Sequence, residues 1–185
     1  AVDPETGIMY IFSKSDVGRM SMSSRPDRSD MDFINLQLRT APRLSVDGLP
    51  LIKPPYGQIV ALDLNEGEKL WDAVHGETPD SIRNHPALAG LDIPPTGQAG
   101  RVGVLVTKTL VIAGDGGHYT NADGDQEALL RAYDKLTGKQ LGSLSMPAQQ
   151  TGSPMTYAID GVQYLVVAIA GSDVPGRLRV YSYEP

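Results

Sequence analysis

Leu129–Val166 reads LLRAYDKLTGKQLGSLSMPAQQTGSPMTYAIDGVQYLV. Leu129–Tyr133 is a short run of large residues, and Asp134-Lys135-Leu136-Thr137-Gly138 is a turn. A second run, Gln140–Met146, ends before the chain-breaking Gly152-Ser153-Pro154, and Met155–Ile159 is a third. Asp160-Gly161 is a hairpin turn signal ahead of a fourth run, Gln163–Ile169. Short strands at this spacing predict an antiparallel meander of the kind stacked radially in β-propellers.

The turn chemistry recurs. Ala61-Leu62-Asp63, then Gly67, then Trp71 fits A-x-D-x-x-x-G-x-x-x-W. Ala132-Tyr133-Asp134 with Gly138 fits the same spacing, Gly142 standing for the Trp, and Ala1-Val2-Asp3 with Gly7 fits it with Ile11 there. Val180-Tyr181-Ser182 takes the same place in the last strand, without the Asp. An Asp can accept from turn amides, a Gly permits a left-handed backbone, and a Trp can wedge between sheets.

Starts at Ala132 and Val180 lie about 48 residues apart, a propeller-blade interval. The expectation is therefore an all-β chain, a partial β-propeller of about three four-stranded antiparallel blades. They are expected over roughly 13–75, 100–146 and 150–185, with 1–12 the end of an earlier blade. Irregular excursions are expected over 14–55 and 75–100, the second starting a short helix at Thr78-Pro79-Asp80-Ser81 with Thr as N-cap. Opening inside a hairpin, the sequence reads as a piece of a longer chain.

Composition narrows the classes. With 16 basic and 22 acidic residues the net charge is −6, which argues against a nucleic-acid partner. The absence of cysteine removes disulfides, thiolate metal sites and cysteine nucleophiles. No apolar stretch reaches the roughly 18–20 residues of a transmembrane segment.

Several segments together resemble a known family: LPLIKPPYGQIVALDLNEGEKLW (49–71), RNHPALAGLDIP (83–94), GRVGVLVTKTLVIAGDG (100–116), LLRAYDKLTGKQLG (129–142) and QTGSPMTYAIDGVQYLVVAIAG (150–171). They are similar to the C-terminal part of pyrroloquinoline-quinone (PQQ)-dependent dehydrogenases, nearest the membrane glucose dehydrogenase branch. The resemblance implies an eight-bladed propeller locked by tryptophan-docking motifs, with PQQ on the axis beside Ca²⁺. It also implies periplasmic oxidation of sugars or alcohols. The carboxylate base and most calcium ligands of the family fall in blades N-terminal to this segment, so no catalytic residue and no metal ligand is expected here. Trp71 is the single docking tryptophan, and the short loop 171–176 lacks the histidine of the glucose dehydrogenase branch.

By the same resemblance Arg101 faces the axis, where it would pair either with a quinone carboxylate or with an acid of a neighbouring blade. Thr151-Gly152-Ser153 begins the next innermost strand, where glycine either admits a flat cofactor or simply serves the turn. Asp115 and His118, in the polar loop 114–125, are candidates for substrate or metal contact or for plain solvation. The expected function is the C-terminal segment of a PQQ-dependent sugar or alcohol dehydrogenase, lacking full catalytic machinery alone. The alternative is a non-enzymatic, self-associating half-propeller or interaction module. Its partner is either itself, as a homo-oligomer, or the missing N-terminal blades.

Overall fold

The structure, a computed structural model, describes residues 1–18, 21–36 and 44–182. The chain forms two compact units, one made of Ala1–Ser15 with Pro54–Pro185 and the other of Asp16–Lys53. The smaller unit holds two short antiparallel ladders, Ser21–Ser23 with Ile34–Leu36 and Ser45–Val46 with Leu49–Pro50. Asp47 and Gly48 close the latter with positive φ at both turn positions, as a tight hairpin requires. The excursion expected over 14–55 thus contains local order, although 19–20 and 37–43 lie outside the described residues.

The larger unit is a partial β-propeller of three antiparallel sheets. The first runs Val2–Asp3, Ile8–Lys14, Gly57–Asp63, Glu68–Val74 in spatial order. In the second, Leu105–Val106, Leu110–Gly114, Gln126–Asp134 and Gln140–Met146 are neighbours, and Tyr119–Thr120 adds to the free part of Gln126–Asp134. The third has three strands, Met155–Ile159, Val162–Ile169 and Arg177–Ser182. Asp160 and Gly161 make its hairpin with φ of 51° and 82°. Residues 183–185, the end of the blade expected over 150–185, lie outside the described residues.

Two expectations are corrected. Residues 1–12 do not end an earlier blade: Ile8–Lys14 pairs along its whole length with Gly57–Asp63, from Ile8↔Asp63 to Lys14↔Gly57. The Asp3–Gly7 turn is therefore the first hairpin of the same sheet, because an Asp–Gly turn serves any antiparallel pair. The helix spans Asp80–Arg83 with Pro79, not Thr78, at the N-cap. Proline has no amide to lose there, and its carbonyl accepts from Ile82 and Arg83, while the Thr78 hydroxyl accepts from the Thr96 amide at 3.2 Å.

The three Asp–Gly turns share one construction. Gly7, Gly67 and Gly138 have φ of 73°, 73° and 71°, and their amides donate to the carbonyls of Asp3, Asp63 and Asp134. Each carboxylate also accepts from the turn: Asp3 from Glu5 N, Asp63 from Asn65 N, Asp134 from Leu136 N and Thr137 N. Bulges at Ala61/Leu62 and Ala132/Tyr133 occupy equivalent places in the first two sheets.

Alternation along the strands divides the core in two. Tyr10, Ile59, Ala61, Val111, Ala113 and Tyr133 are buried between the first and second sheets. Ile112, Leu130, Met146, Val167 and Ile169 are buried on the other side of the second sheet, against the third. The middle sheet is covered on both faces.

Candidate functional site

The same ends of the three sheets converge on a cleft of about 450 Å³, lined by Phe12, Lys14, 100–103 and 151–153. Lys14 ends its strand, whereas 100–103 and 151–153 precede theirs, so three sheets each present a strand terminus. All four residues expected from the sequence, Arg101, Thr151, Gly152 and Ser153, are in the lining. The structure brings them together from segments about fifty residues apart.

Glycines set the closeness of these walls. A Cβ on Gly103 would collide with Ser153, and one on Gly100 would stand 2.6 Å from Gly116 Cα. A side chain at either position would push the walls apart. Arg101 is exposed and makes no ion pair among the described residues. Lys14 is the second cation of the cleft, and Thr151 and Ser153 supply hydroxyls.

Gln150, which the sequence did not single out, holds the cleft wall. It is 2% exposed. Its Nε2 donates to Gly103 O at 2.8 Å and its Oε1 accepts from Gly114 N at 2.6 Å. Its own amide donates to Asp115 O at 2.9 Å. One side chain thereby ties the 100–103 segment, the strand Leu110–Gly114 and the 151–153 segment together.

Behind the wall lies a buried polar network. Arg131 Nε donates to Asp115 Oδ1 at 2.8 Å and Nη2 to Oδ2 at 3.2 Å, and Nη2 also reaches Glu77 at 3.0 Å. Burial opposes the Arg131 charge, but hydrogen bonds and the negative charge of Asp115 outweigh it and raise its pKa. Asp115 is thus the counter-ion of Arg131, additionally accepting from Leu129 N, and is not turned toward a substrate or metal. His118 is exposed, as the solvated alternative has it.

His75 is fully buried beside this pair. Its Nε2 lies 3.1 Å from Gly114 O, which can only accept, so Nε2 carries the proton. For the neutral ring, Nδ1 then accepts from the Tyr133 hydroxyl at 2.8 Å. Burial, partly opposed by Asp115, lowers the His75 pKa and favours that neutral form. Phe12, a cleft residue, meets the His75 ring edge-on at 5.6 Å and connects the two regions. These contacts span 39 and 58 residues of sequence, and no local spacing announces them.

In the polar loop, Asn121 Oδ1 accepts from the amides of Asp123 and Asp125, so its acceptors close a turn. Among the described residues no three His, Asp or Glu side chains gather as a metal site. None of the described helices is long and apolar enough to cross a membrane.

Residues 1–165 match a family described as the β-propeller domain of PQQ-dependent glucose, ethanol and alcohol dehydrogenases. Among curated relatives, quinoprotein glucose dehydrogenase A of Acinetobacter calcoaceticus is 30% identical over 128 residues, 69% of this chain and 15% of its own length. The quinoprotein glucose dehydrogenase of Escherichia coli (strain K12) is 33% identical over 141 residues, 70% of this chain and 15% of its own length. The glycerol dehydrogenase large subunit of Gluconobacter thailandicus is 34% identical over 141 residues, 73% of this chain and 18% of its own length. The chain therefore spans less than a fifth of these relatives.

Proposed function

Since the chain belongs to the family of PQQ-dependent glucose, ethanol and alcohol dehydrogenase β-propellers, we propose that it is a C-terminal segment of such a sugar or alcohol dehydrogenase. It contributes one wall of the quinone site and does not carry the full catalytic machinery alone. The observation that supports this most is the convergence of Arg101, Thr151, Gly152 and Ser153 on one cleft.

The cleft suits a planar, anionic quinone. Its volume is within the roughly 300–1,000 Å³ usual for small-molecule sites. Arg101, without an internal counter-ion among the described residues, is available to a carboxylate, for which a guanidinium is the matching fork. Thr151 and Ser153 are hydrogen-bonding hydroxyls at the same wall, and Gly152 adds no side chain between them. When bound, PQQ supplies the quinone that accepts the electrons and protons of alcohol oxidation. The chain's own residues bind and orient. No residue here is assigned as base, and Ca²⁺ is assigned no ligand in this chain. On this reading the whole protein works in the periplasm, which the resemblance to PQQ-dependent dehydrogenases supports.

Titration of the full 185-residue chain with PQQ, with and without Ca²⁺, tests it by quenching of Trp71 fluorescence. Binding is expected, weakened roughly tenfold by Arg101→Ala, as for loss of one charge-assisted hydrogen bond. Glucose oxidation with an artificial dye acceptor is expected to be absent. No quenching up to millimolar PQQ, or equal affinity of R101A and the parent, overturns the cleft assignment. Dye-linked turnover by the chain alone overturns the claim that its machinery is incomplete.

A further inference from the structure

We propose that Gln150 is a positioning residue of the quinone cleft, fixing how far the Arg101 segment stands from Thr151–Ser153 without reaching the cleft itself. The inference rests on the quinone reading above. Residues 99–104 belong to no strand, so no ladder sets the place of Arg101. A hydrogen bond takes the ladder's part: Gly103 O, two residues along, accepts from Gln150 Nε2 at 2.8 Å. The other wall begins at the next residue, Thr151. One side-chain amide is thus bonded to the first wall while its own backbone runs straight into the second.

The amide has one orientation. Gly114 N can only donate and Gly103 O can only accept, so Oε1 faces the former and Nε2 the latter. Its references are fixed in turn. Gly114 is the ladder partner of Leu130 in the second sheet, and Gln150 makes a β-bridge with Ile169 of the third. A Cβ on Gly114 would stand 2.8 Å from Gln150 Oε1 and 3.0 Å from Met146 Cε, so the amide is packed as well as bonded. All of these partners lie within this chain. A guanidinium meets a carboxylate through paired hydrogen bonds that weaken steeply with distance and angle. Slack between the walls therefore weakens that contact, although Gln150 touches no ligand.

A double-mutant cycle on the full chain tests it, with PQQ affinity read by Trp71 quenching. Gln150→Met is expected to weaken binding roughly fivefold, but less than about twofold where Arg101→Ala has already removed the contact it positions. A merely structural role would lower both backgrounds alike. Gln150→Asn keeps the amide but falls a methylene short of spanning both partners; it should show the same signature, and replaces Q150M if far-UV circular dichroism shows that variant unfolded. Wall spacing is read without ligand. The chain has no cysteine, so spin labels on Arg101→Cys and Thr151→Cys report the distance between the walls. One narrow distribution is expected with Gln150 and a broader one with Q150M. Equal PQQ affinity of Q150M and the parent, an equal loss in the R101A background, or an unchanged label distribution overturns the role of Gln150 and leaves the quinone reading standing. Failure of the parent to bind PQQ overturns that reading, and this role with it.

Discussion

The indole Nε1 of Trp71 donates to the carbonyl oxygen of Lys135 at 3.1 Å, joining the last strand of the first sheet to the Asp–Gly turn of the second. Its ring lies against Gly138, where a Cβ would come within 2.5 Å of it. Tyr10 donates its hydroxyl to the same carbonyl at 3.3 Å and packs 5.8 Å from the Trp71 ring. A tryptophan fits because it offers a flat ring and a donor at once. Trp71→Phe should cost about 1 kcal/mol, the usual share of one hydrogen bond. Gly138→Ala should cost more than the roughly 1 kcal/mol of a left-handed backbone alone, because the added methyl meets the ring. Urea unfolding of both variants at neutral pH checks the order.

The neighbouring side-chain contact is electrostatic. Lys135 Nζ donates to Asp3 Oδ2 at 2.6 Å. That hydrogen bond, with others from Thr6 and the Glu5 amide, lowers the Asp3 pKa to about 2 from 3.8. A depressed carboxyl stabilises the fold above its unfolded pKa and loses that contribution as pH falls. Stability should therefore drop between about pH 4 and pH 2, and Asp3→Asn should flatten this part of the profile. Denaturation midpoints at pH 5, 3 and 2 measure it.

His75 has the opposite chemistry and the same sign. Its pKa is lowered by burial, so the unfolded chain takes up a proton that the folded one resists. Stability should fall as pH drops below the unfolded value of about 6.5. His75→Gln should lessen that slope between pH 7.5 and 5.5, while Tyr133→Phe should keep it but lower stability by about 1 kcal/mol through the lost donor to Nδ1.

Gln150→Leu removes partners from a buried amide and a carbonyl at once. Leaving Gly114 N and Gly103 O unpaired should cost about 2–4 kcal/mol by the usual penalty for each buried group. Arg131→Met leaves Asp115 charged and buried and should cost about 3–5 kcal/mol. Hydrogen exchange should show the Q150L effect concentrated at 100–103 and 150–153, whereas R131M should loosen the seam between the first two sheets.

Local chemistry was legible in the sequence, and long-range pairing was not. The Asp–Gly turns, the Asp160-Gly161 hairpin and the short strands depend on residues within about ten positions, so spacing reveals them. The assignment of 1–12 failed for the same reason: a turn motif reports that two strands are adjacent, not which sheet they join. Arg101 and Thr151–Ser153, named through resemblance, line one cleft. Lys14, Gln150 and His75 were missed because their roles rest on partners brought close only by the stacking of sheets.

Lys14 and Gly57 are ladder partners, and Ser15 N donates to Tyr56 O at 3.2 Å just beyond them. The polypeptide leaves the first sheet and re-enters it at nearly one point, so the intervening stretch behaves as a cassette. Exchanging it for a two-residue turn would shorten the loop to be closed and leave every rung of the ladder in place. Length polymorphism at this junction is thus thermodynamically cheap, growing only logarithmically with the number of residues inserted.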